Sequence, residues 1–467
     1  MHKHQFDQTI LRSYDIRGVF EKTLKVEDAF MLGFFFGITA KDQNQHKENP
    51  LVIIGMDGRL SSSILEESLN NGLEEAGCEV YRIGLGPTPM LYFASHYFKA
   101  DGAIQITGSH NPKDYNGFKI VLNQNPFFGE DIQNLGLLAQ KGFACAKKGS
   151  SKRVNVKEKY IEKVIEPLKK ISKSLDNKTL VWDCGNGACG PSIESITRNL
   201  PGKHIVLYSD VDGNFPNHHP DPTDVSTLET LSQKMKEANA DLGIAFDGDG
   251  DRIGVMDKNR VPVPGDLLTA FLANSIKDKV NKTVILDIKS SNVAYEKIIS
   301  LGFKAEIGKT GHSNIKKRIK EINSPLAGEM SGHIFFADNY FGFDDAIYAS
   351  IRLIELLASN ITLHEFISSL PVTYPSREIK VYCPDNIKFK TMEKISNEVF
   401  KNYNPKDIIT LDGIRAKNKF GWWLIRASNT EEALVVRFEG NSAEDKDKLF
   451  NEVKYLLNNE GLSLETK

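Results

Sequence analysis

Three carboxylates fall within five residues at Asp247-Gly248-Asp249-Gly250-Asp251, and Arg252 follows at once. Apolar runs, Leu242-Gly243-Ile244-Ala245-Phe246 and Ile253-Gly254-Val255-Met256, flank the cluster and anchor it on a sheet. Like charges this close repel one another, and a bound cation relieves the repulsion. The two glycines allow a tight backbone path on which the three side chains converge. A solvated acidic turn is the competing reading. Oxygen-only ligands suit Mg²⁺, Mn²⁺ or Ca²⁺ rather than zinc. An EF-hand loop is excluded, because with Asp247 first its sixth and twelfth positions hold Arg252 and Lys258 rather than glycine and glutamate. Mg²⁺ keeps a few carboxylates and completes its shell with water or a phosphate oxygen, so a phosphate partner is expected.

A second candidate is Ser109, presented by Thr107-Gly108-Ser109-His110-Asn111-Pro112 at the end of the apolar run Ile104-Gln105-Ile106. His110 adjoins it, but neighbours on a strand face opposite sides, which disfavours a direct Ser109–His110 couple. No GxSxG elbow is present either. A polar turn capped by Asn111-Pro112 is the plain alternative. A serine facing a metal ion can instead carry a phosphoryl group, whose oxygens would complete the coordination begun by Asp247, Asp249 and Asp251.

Glu329, Ser331 and His333 alternate in Gly328-Glu329-Met330-Ser331-Gly332-His333, so an extended segment would put them on one face, suited to reading adjacent sugar hydroxyls. An edge strand is the alternative, although burying Glu329 without a partner is costly. Arg426-Ala427-Ser428-Asn429-Thr430 follows the apolar run Gly421 to Ile425; Arg426 offers a planar fork for phosphate, and Ser428, Asn429 and Thr430 offer neutral donors. Arg437 adds a second cation whose direction the sequence leaves open. A helix N-cap on Ser428 or Asn429 is the other reading, itself compatible with anion binding. Tyr14 and Arg17 in Tyr14-Asp15-Ile16-Arg17-Gly18, Lys119, Arg252, Lys289, Lys309 and His312 also stand at strand ends or in glycine-rich loops. Singly each of the cations could be a surface charge; together they predict a positively lined cleft for an anionic substrate.

A unit repeated three times positions these residues. Val52 to Gly55 leads into Asp57-Gly58-Arg59, a helix over 62–75 and a strand over 80–83. The pattern returns as a strand over 180–183, a helix over 192–199 and a strand over 204–208, and again over 284–287, 292–300 and 304–307. Related α/β domains follow, with ligands expected at the carboxyl ends of strands. After about Leu370 a strand over 378–381, a helix over 392–400 and strands over 408–411, 421–426 and 434–438 predict a smaller α+β domain. The divisions fall at 1–155, 156–260, 261–371 and 372–467.

The 467 residues exceed one ordinary core, and 40% hydrophobic with 26% charged content is that of a globular chain. A formal net charge of -2 gives no support to a nucleic-acid or membrane-surface binder. Met1 to Phe6 has no apolar signal core and no run is long enough to span a membrane, so the cytoplasm is expected. The five cysteines form no CxxC pair and read as reduced thiols.

Together the segments resemble the α-D-phosphohexomutase superfamily, specifically its bacterial phosphomannomutase/phosphoglucomutase branch, over essentially the whole chain. The resemblance implies three α/β domains with mixed sheets, a carboxyl-terminal α+β domain and an active site in the central cleft. It makes Thr107 to Pro112 the phosphoserine loop, Asp247 to Arg252 the metal loop for one Mg²⁺, Gly328 to His333 the sugar loop and Arg426 to Thr430 the phosphate loop. Phosphoglucosamine mutases resemble the chain too, but usually show alanine at Gly108 and glutamine at Met330. The implied reaction interconverts mannose 1-phosphate and mannose 6-phosphate, and the glucose pair, through phosphorylated Ser109 and a hexose 1,6-bisphosphate that is both intermediate and activator. Small sugar phosphates are then the partners, and a monomer the expected state. Lys119 and Arg252 would neutralise the transferring group, and His333 or Lys119 would take the hydroxyl proton with Arg17 assisting. Closure of the fourth domain would exclude water.

Two rivals stay open. In a haloacid-dehalogenase-like phosphotransferase Asp247 would be the nucleophile and Asp249 the acid/base, although Asp251 stands where that family usually has threonine or valine. A non-catalytic sugar-phosphate sensor would keep the Arg426 loop but need neither the three aspartates nor Ser109.

Overall fold

The computed structural model describes residues 2–144, 148–170, 175–428 and 431–465. Four sheets run through the described residues. The first three share one plan: a parallel set of strands is followed, across a single loop, by an antiparallel partner. In the first sheet Gly102–Ile106 lies parallel to Leu51–Met56 and antiparallel to Tyr115–Leu122. In the second, Leu242–Phe246 lies parallel to Thr179–Asp183 and antiparallel to Ile253–Met256. In the third, Leu326–Gly328 lies parallel to Thr283–Asp287 and antiparallel to Ile334–Phe336. The three connecting loops are those of Ser109, of Asp247 to Arg252 and of Glu329 to His333, each leaving the carboxyl end of a parallel strand.

The repeated helices occupy Ser62–Glu75, Gly190–Thr197 and Asn292–Ser300. The second starts two residues before the apolar pattern does because Pro191, in the first turn, is preset for a helix. Helix Val26–Gln43 was not anticipated; its run Phe34-Phe35-Phe36 is buried all round, so no polar stripe marks it. It packs closely on Ser62–Glu75, where a Cβ on Gly33 would lie 2.3 Å from Leu69 O.

The fourth sheet is antiparallel throughout, in the order Tyr374–Pro375, Ala433–Gly440, Gly421–Ala427, Ile414–Asn418, Ile408–Ile409, with Ile379–Tyr382 also paired to Ala433–Gly440. Its helix Asp385–Asn402 begins seven residues before the expected one, because in its first two turns the apolar Ile387 and Phe389 are exposed while Lys388 and Thr391 are buried, which hides the core-facing pattern. One apolar cluster is continuous through the first three sheets, joining Ile53, Phe93, Trp182, Phe246, Phe271, Phe336 and Ile347. The fourth sheet has its own core around Trp423, Val436, Val453 and Leu457.

Candidate active site

The serine loop is held from beneath by one cation. Buried Arg59, three residues beyond strand Leu51–Met56, donates from Nη1 to Pro112 O (2.6 Å) and Tyr115 O (3.0 Å), and from Nη2 to Ser109 O (2.7 Å) and Asn111 O (2.6 Å). Asp57 pairs with Arg59 at 3.3 Å and accepts from Gly108 N at 3.1 Å. A Cβ on Gly108 would meet Arg59 Cζ at 2.3 Å, which is why glycine stands there. Ser109 is left-handed (φ 47), and this ends the strand alternation. The Ser109–His110 couple disfavoured by that alternation therefore exists, with Ser109 Oγ 3.2 Å from His110 Nδ1. Burial, reinforced by Arg252, Arg17 and Lys119, pushes the His110 pKa well below the usual imidazole value. The Ser109 hydroxyl donates to Asp247 Oδ2 at 2.9 Å.

Asp247, Asp249 and Asp251 are all fully buried, and one carboxylate oxygen from each lies within 4.8 Å of the others. Asp247 Oδ1 accepts from the amides of Asp251 (3.1 Å) and Arg252 (3.2 Å), closing the loop on itself. Gly248 passes so near the serine loop that a Cβ would lie 2.5 Å from Ser109 O. Lys119 Nζ donates to Asp249 Oδ2 at 2.7 Å and also to Asp251 Oδ2. Burial, then Asp249 and Asp251, raise the Asp247 pKa well above the carboxylate range. For Asp249 burial acts the same way, but Lys119 and the Thr88 hydroxyl outweigh it and hold the carboxyl well below its ordinary value. Asp249 Oδ1 and Asp251 Oδ1 are buried without a hydrogen-bond partner. Three buried carboxylates, two of them with an orphaned oxygen, fit a hard cation.

Glu329 to His333 form a tight turn, not the extended segment expected. Glu329 N donates to His333 O (2.9 Å), Gly332 N donates to Glu329 O (3.0 Å), and Gly332 has φ +89. All three residues nevertheless line one cleft. Glu329 Oε1 accepts from Gly311 N at 2.6 Å, and burial raises its pKa. Ser331 is half-buried in the cleft wall. His333 Nε2 accepts from Arg252 Nε at 2.9 Å, while Nδ1 lies 3.1 Å from Asp344 Oδ2 and 3.6 Å from Asp251 Oδ1. Its ring stacks on His312 with centroids 5.6 Å apart. Burial and Lys316 push the His312 pKa well below the usual value. For Asp344, burial is outweighed by Lys316 and by the imidazoles of His333 and His312 beside it, and the carboxyl stays well below its ordinary range.

Arg426 and Arg437 stand on neighbouring strands and face the same way, since Arg426 is opposite Val435 and Leu424 opposite Arg437. Arg426 pairs with Asp412 at 3.0 Å, and Arg437 Nε is buried without a hydrogen-bond partner. Ser428 begins a hairpin loop and not a helix, its Oγ accepting from Glu431 N at 3.1 Å. Asn429 and Thr430 lie outside the described residues. Tyr14 donates to Thr310 O at 3.0 Å, and Arg17 to Asn111 Oδ1 at 3.1 Å and to Asp15. Lys289 pairs with Glu378 at 3.1 Å.

A cleft of about 1790 Å³ joins Tyr14, Arg17, Ser109, Lys119, Arg252, Lys289, His312, Glu329, Ser331, His333, Arg426, Ser428 and Arg437. Lys309 is exposed and outside its lining. The three buried aspartates lie below the cleft floor, next to Ser109 and Lys119. Sequence reasoning missed Asp412, Asp344 and Glu378. Their only signals, an Asp-Gly turn, an Asp-Asp pair before a helix and an acidic strand end, are common in structures without a site.

Four family models match: domains I, II and III, each alpha/beta/alpha, and the C-terminal domain of phosphoglucomutase/phosphomannomutase, over residues 8–135, 158–260, 264–374 and 378–455. The phosphomannomutase/phosphoglucomutase of Pseudomonas syringae pv. tomato is 40% identical over 443 residues, covering 94% of this chain and 93% of that one. A phosphoglucomutase of Neisseria gonorrhoeae is 35% identical over 452 residues, 96% of each. The crystal structure of a phosphoglucomutase/phosphomannomutase family protein from Burkholderia thailandensis superimposes with a TM-score of 0.88 at 34% identity, covering 97% of this chain and 98% of that one.

Proposed function

The chain belongs to the phosphoglucomutase/phosphomannomutase family and is a phosphohexomutase, an isomerase that interconverts hexose phosphates; we propose that Ser109 carries the phosphoryl group between positions 1 and 6 of the sugar. The observation that carries this is the placing of Ser109 Oγ 2.9 Å from Asp247, beside two further buried aspartates and at the floor of a cationic cleft.

Phosphate monoesters hydrolyse very slowly, so the rate must come from positioning and charge neutralisation. Phosphorylated Ser109 donates to the free sugar hydroxyl: the Oγ–P bond breaks, the hydroxyl O–P bond forms, and the hydroxyl proton passes to a base. Burial opposes the charge on Lys119, but Asp249 and Asp251 outweigh it and raise its pKa, so Lys119 acts as an ammonium facing the phosphoryl group. His333 Nε2 accepts from Arg252 and so carries no proton; once Arg252 turns to the phosphoryl group that lone pair is free for the hydroxyl proton, and we assign the base there. Arg17 and Arg252 neutralise the transferring group.

The hexose 1,6-bisphosphate so formed turns over, and its other phosphate returns to Ser109 by the same steps reversed. Arg426, Arg437 and Ser428, with the loop of Asn429 and Thr430, grip the phosphate that is not reacting, and Glu329 and Ser331 hold hydroxyls common to both orientations. Asp247, Asp249, Asp251 and an oxygen on Ser109 would hold one Mg²⁺. When bound, that ion neutralises charge on the transferring phosphoryl group. Mannose and glucose phosphates are the proposed substrates. We read the working form as a cytoplasmic monomer, which sedimentation and fractionation test.

A coupled assay on mannose, glucose and glucosamine 1-phosphates in parallel tests the substrate. A dominant glucosamine activity overturns the branch assignment. Peptide mapping tests the carrier: phosphate on Ser109 survives hydroxylamine, whereas phosphate on Asp247 with none on Ser109 would return the aspartyl mechanism.

A further inference from the structure

Behind His333 stands a carboxylate that none of the steps above uses. Asp344 lies in the turn between strand Ile334–Phe336 and helix Ala346–Ala358 and is fully buried. Its Oδ2 is 3.1 Å from His333 Nδ1, and its Oδ1 accepts from Lys316 Nζ at 2.9 Å. On the far side of the imidazole Arg252 Nε, which can only donate, lies 2.9 Å from Nε2. A neutral imidazole carries one N–H, so Nε2 accepts and the proton sits on Nδ1, the nitrogen beside Asp344; the two make a close contact at 3.1 Å, not an aligned hydrogen bond.

We propose that Asp344 is a positioning residue for the mutase reaction, fixing His333 as the Nδ1–H tautomer so that the Nε2 lone pair faces Arg252 and the cleft. The inference rests on the assignment of His333 as the base, and adds what orients it. Orientation by a buried carboxylate is the general solution for a histidine base.

Asp344 is itself fixed by Lys316, whose ammonium also donates to Tyr92 OH (3.1 Å) and His312 Nδ1 (3.0 Å). The chain from Tyr92 through Lys316, Asp344 and His333 to Arg252 therefore crosses all three fused α/β units. A cation shared by Asp251, His333 and Asp344 is the other way to join these groups, since their ligand atoms lie within 4.8 Å of one another. It would need the Nδ1 lone pair while Arg252 already takes that of Nε2, and one neutral ring does not have both free.

Asp344→Asn tests the inference because Lys316 constrains the new amide. Lys316 can only donate, so it takes the amide oxygen; the amide nitrogen then faces Nδ1, which must accept, and the ring proton moves to Nε2, releasing the bond from the more exposed Arg252, which turns into the cleft. Nitrogen-15 NMR of histidine-labelled enzyme is expected to show the His333 Nδ1–H tautomer in the wild type and Nε2–H in Asp344→Asn. The variant's kcat falls about 10²–10⁴-fold, with KM for hexose 1-phosphate changed less than about threefold. The double variant Lys316→Met/Asp344→Asn frees the amide to turn its oxygen to His333. It is expected to regain the Nδ1–H tautomer and at least about tenfold in kcat over Asp344→Asn. It also removes the buried charge pair as a unit, which covers the case in which Asp344→Asn alone does not fold; kcat within about a hundredfold of wild type is then expected. An Nδ1–H tautomer that survives Asp344→Asn, or a double variant without the recovery, overturns the positioning role. Wild-type kcat in His333→Gln would instead overturn the base assignment, while leaving the NMR result to stand on its own.

Discussion

Arg59→Met withdraws the cation beneath the serine loop and keeps a long apolar stem in its place. Four backbone carbonyls, of Pro112, Tyr115, Ser109 and Asn111, lose donors now 2.6–3.0 Å away, and Asp57 loses its ion-pair partner. Charge-assisted bonds contribute about 1.5–3 kcal/mol each, so four would sum to about 6–12 kcal/mol. Desolvating a guanidinium whose side chain is 0% exposed offsets part of that. Removing one partner of a buried pair costs about 3–5 kcal/mol, and that is the expected loss. The consequence for catalysis is separate. Ser109 is held at φ 47, a conformation that costs a non-glycine residue about 1–3 kcal/mol and persists only while its surroundings enforce it. Without Arg59 the loop relaxes, and a displacement of Oγ by about 1 Å lowers the rate about 10²-fold. Native-state hydrogen exchange of the amides in Tyr115–Leu122 reads the first effect, and kcat in the coupled mutase assay reads the second. Arg59→Lys should recover part of the protection but little of the rate, because one ammonium cannot span four carbonyls. Protection within about 1 kcal/mol of wild type together with kcat within about threefold would refute the reasoning.

Chelation should abolish turnover and added Mg²⁺ restore it; at a hundred times its Kd the ion stabilises the fold by about 2.7 kcal/mol, a thermal shift that Asp249→Asn and Asp251→Asn remove. Arg437→Ala should raise KM for hexose 1-phosphate about 10–100-fold with little change in kcat, because the phosphate it grips is held equally in ground and transition states; steady-state kinetics decide it. Burial, reinforced by Lys320, pushes the His96 pKa from 6.5 down to about 4. Between those values the unfolded chain binds a proton that the folded chain refuses, so stability present above 6.5 is lost as pH falls towards 4. Going from about pH 7 to pH 5 the loss is about 2 kcal/mol, and His96→Gln should flatten that part of the denaturation profile.

The elements that position the site were legible because each repeat writes a short apolar run, a small-residue loop and an amphipathic helix in order. The contacts between repeats were not. Nothing local shows that Thr88 will meet Asp249, that Arg59 will hold four carbonyls, or that Asp344 will back His333. These depend on how three sheets dock, a property of residues far apart in sequence. Local rules also failed where the chain turns sharply. Alternation misjudged Ser109 with His110, and Glu329 with Ser331 and His333, because a left-handed serine and a left-handed glycine break the strand period there. Lys309 had the same credentials as Lys289, yet it is exposed beyond the cleft lining, while Lys289 is buried against Glu378. Residue type and strand-end position alone do not distinguish the two.

The division of the core bears on how one site serves both ends of a sugar. The loops of Ser109, of Asp247 to Arg252 and of Glu329 to His333 all rise from sheets that share one continuous apolar cluster, so Ser109, Asp247 and His333 stand on one packed body. Arg426 and Arg437 belong to a sheet with its own core, joined to the rest largely by polar contacts: Arg415 to Ile288 O and Ser290 O, Ser291 to Glu439, Lys289 to Glu378, and Thr310 to Asp412. Among the described residues a small apolar cluster there joins Ile288, Trp422 and Leu424, with Ile307 and Ile409 packed against it. On the proposed mechanism, a bisphosphate that must let go of one grip and turn would need its chemistry held rigid and its remote phosphate held by something that can open. Lys289–Glu378 and Thr310–Asp412 cross that boundary, and Arg426 is tied to the same Asp412. On the proposed function a phosphate arriving at Arg426 would compete with Asp412, so that substrate binding and the hold between the fourth sheet and the third would act on one carboxylate.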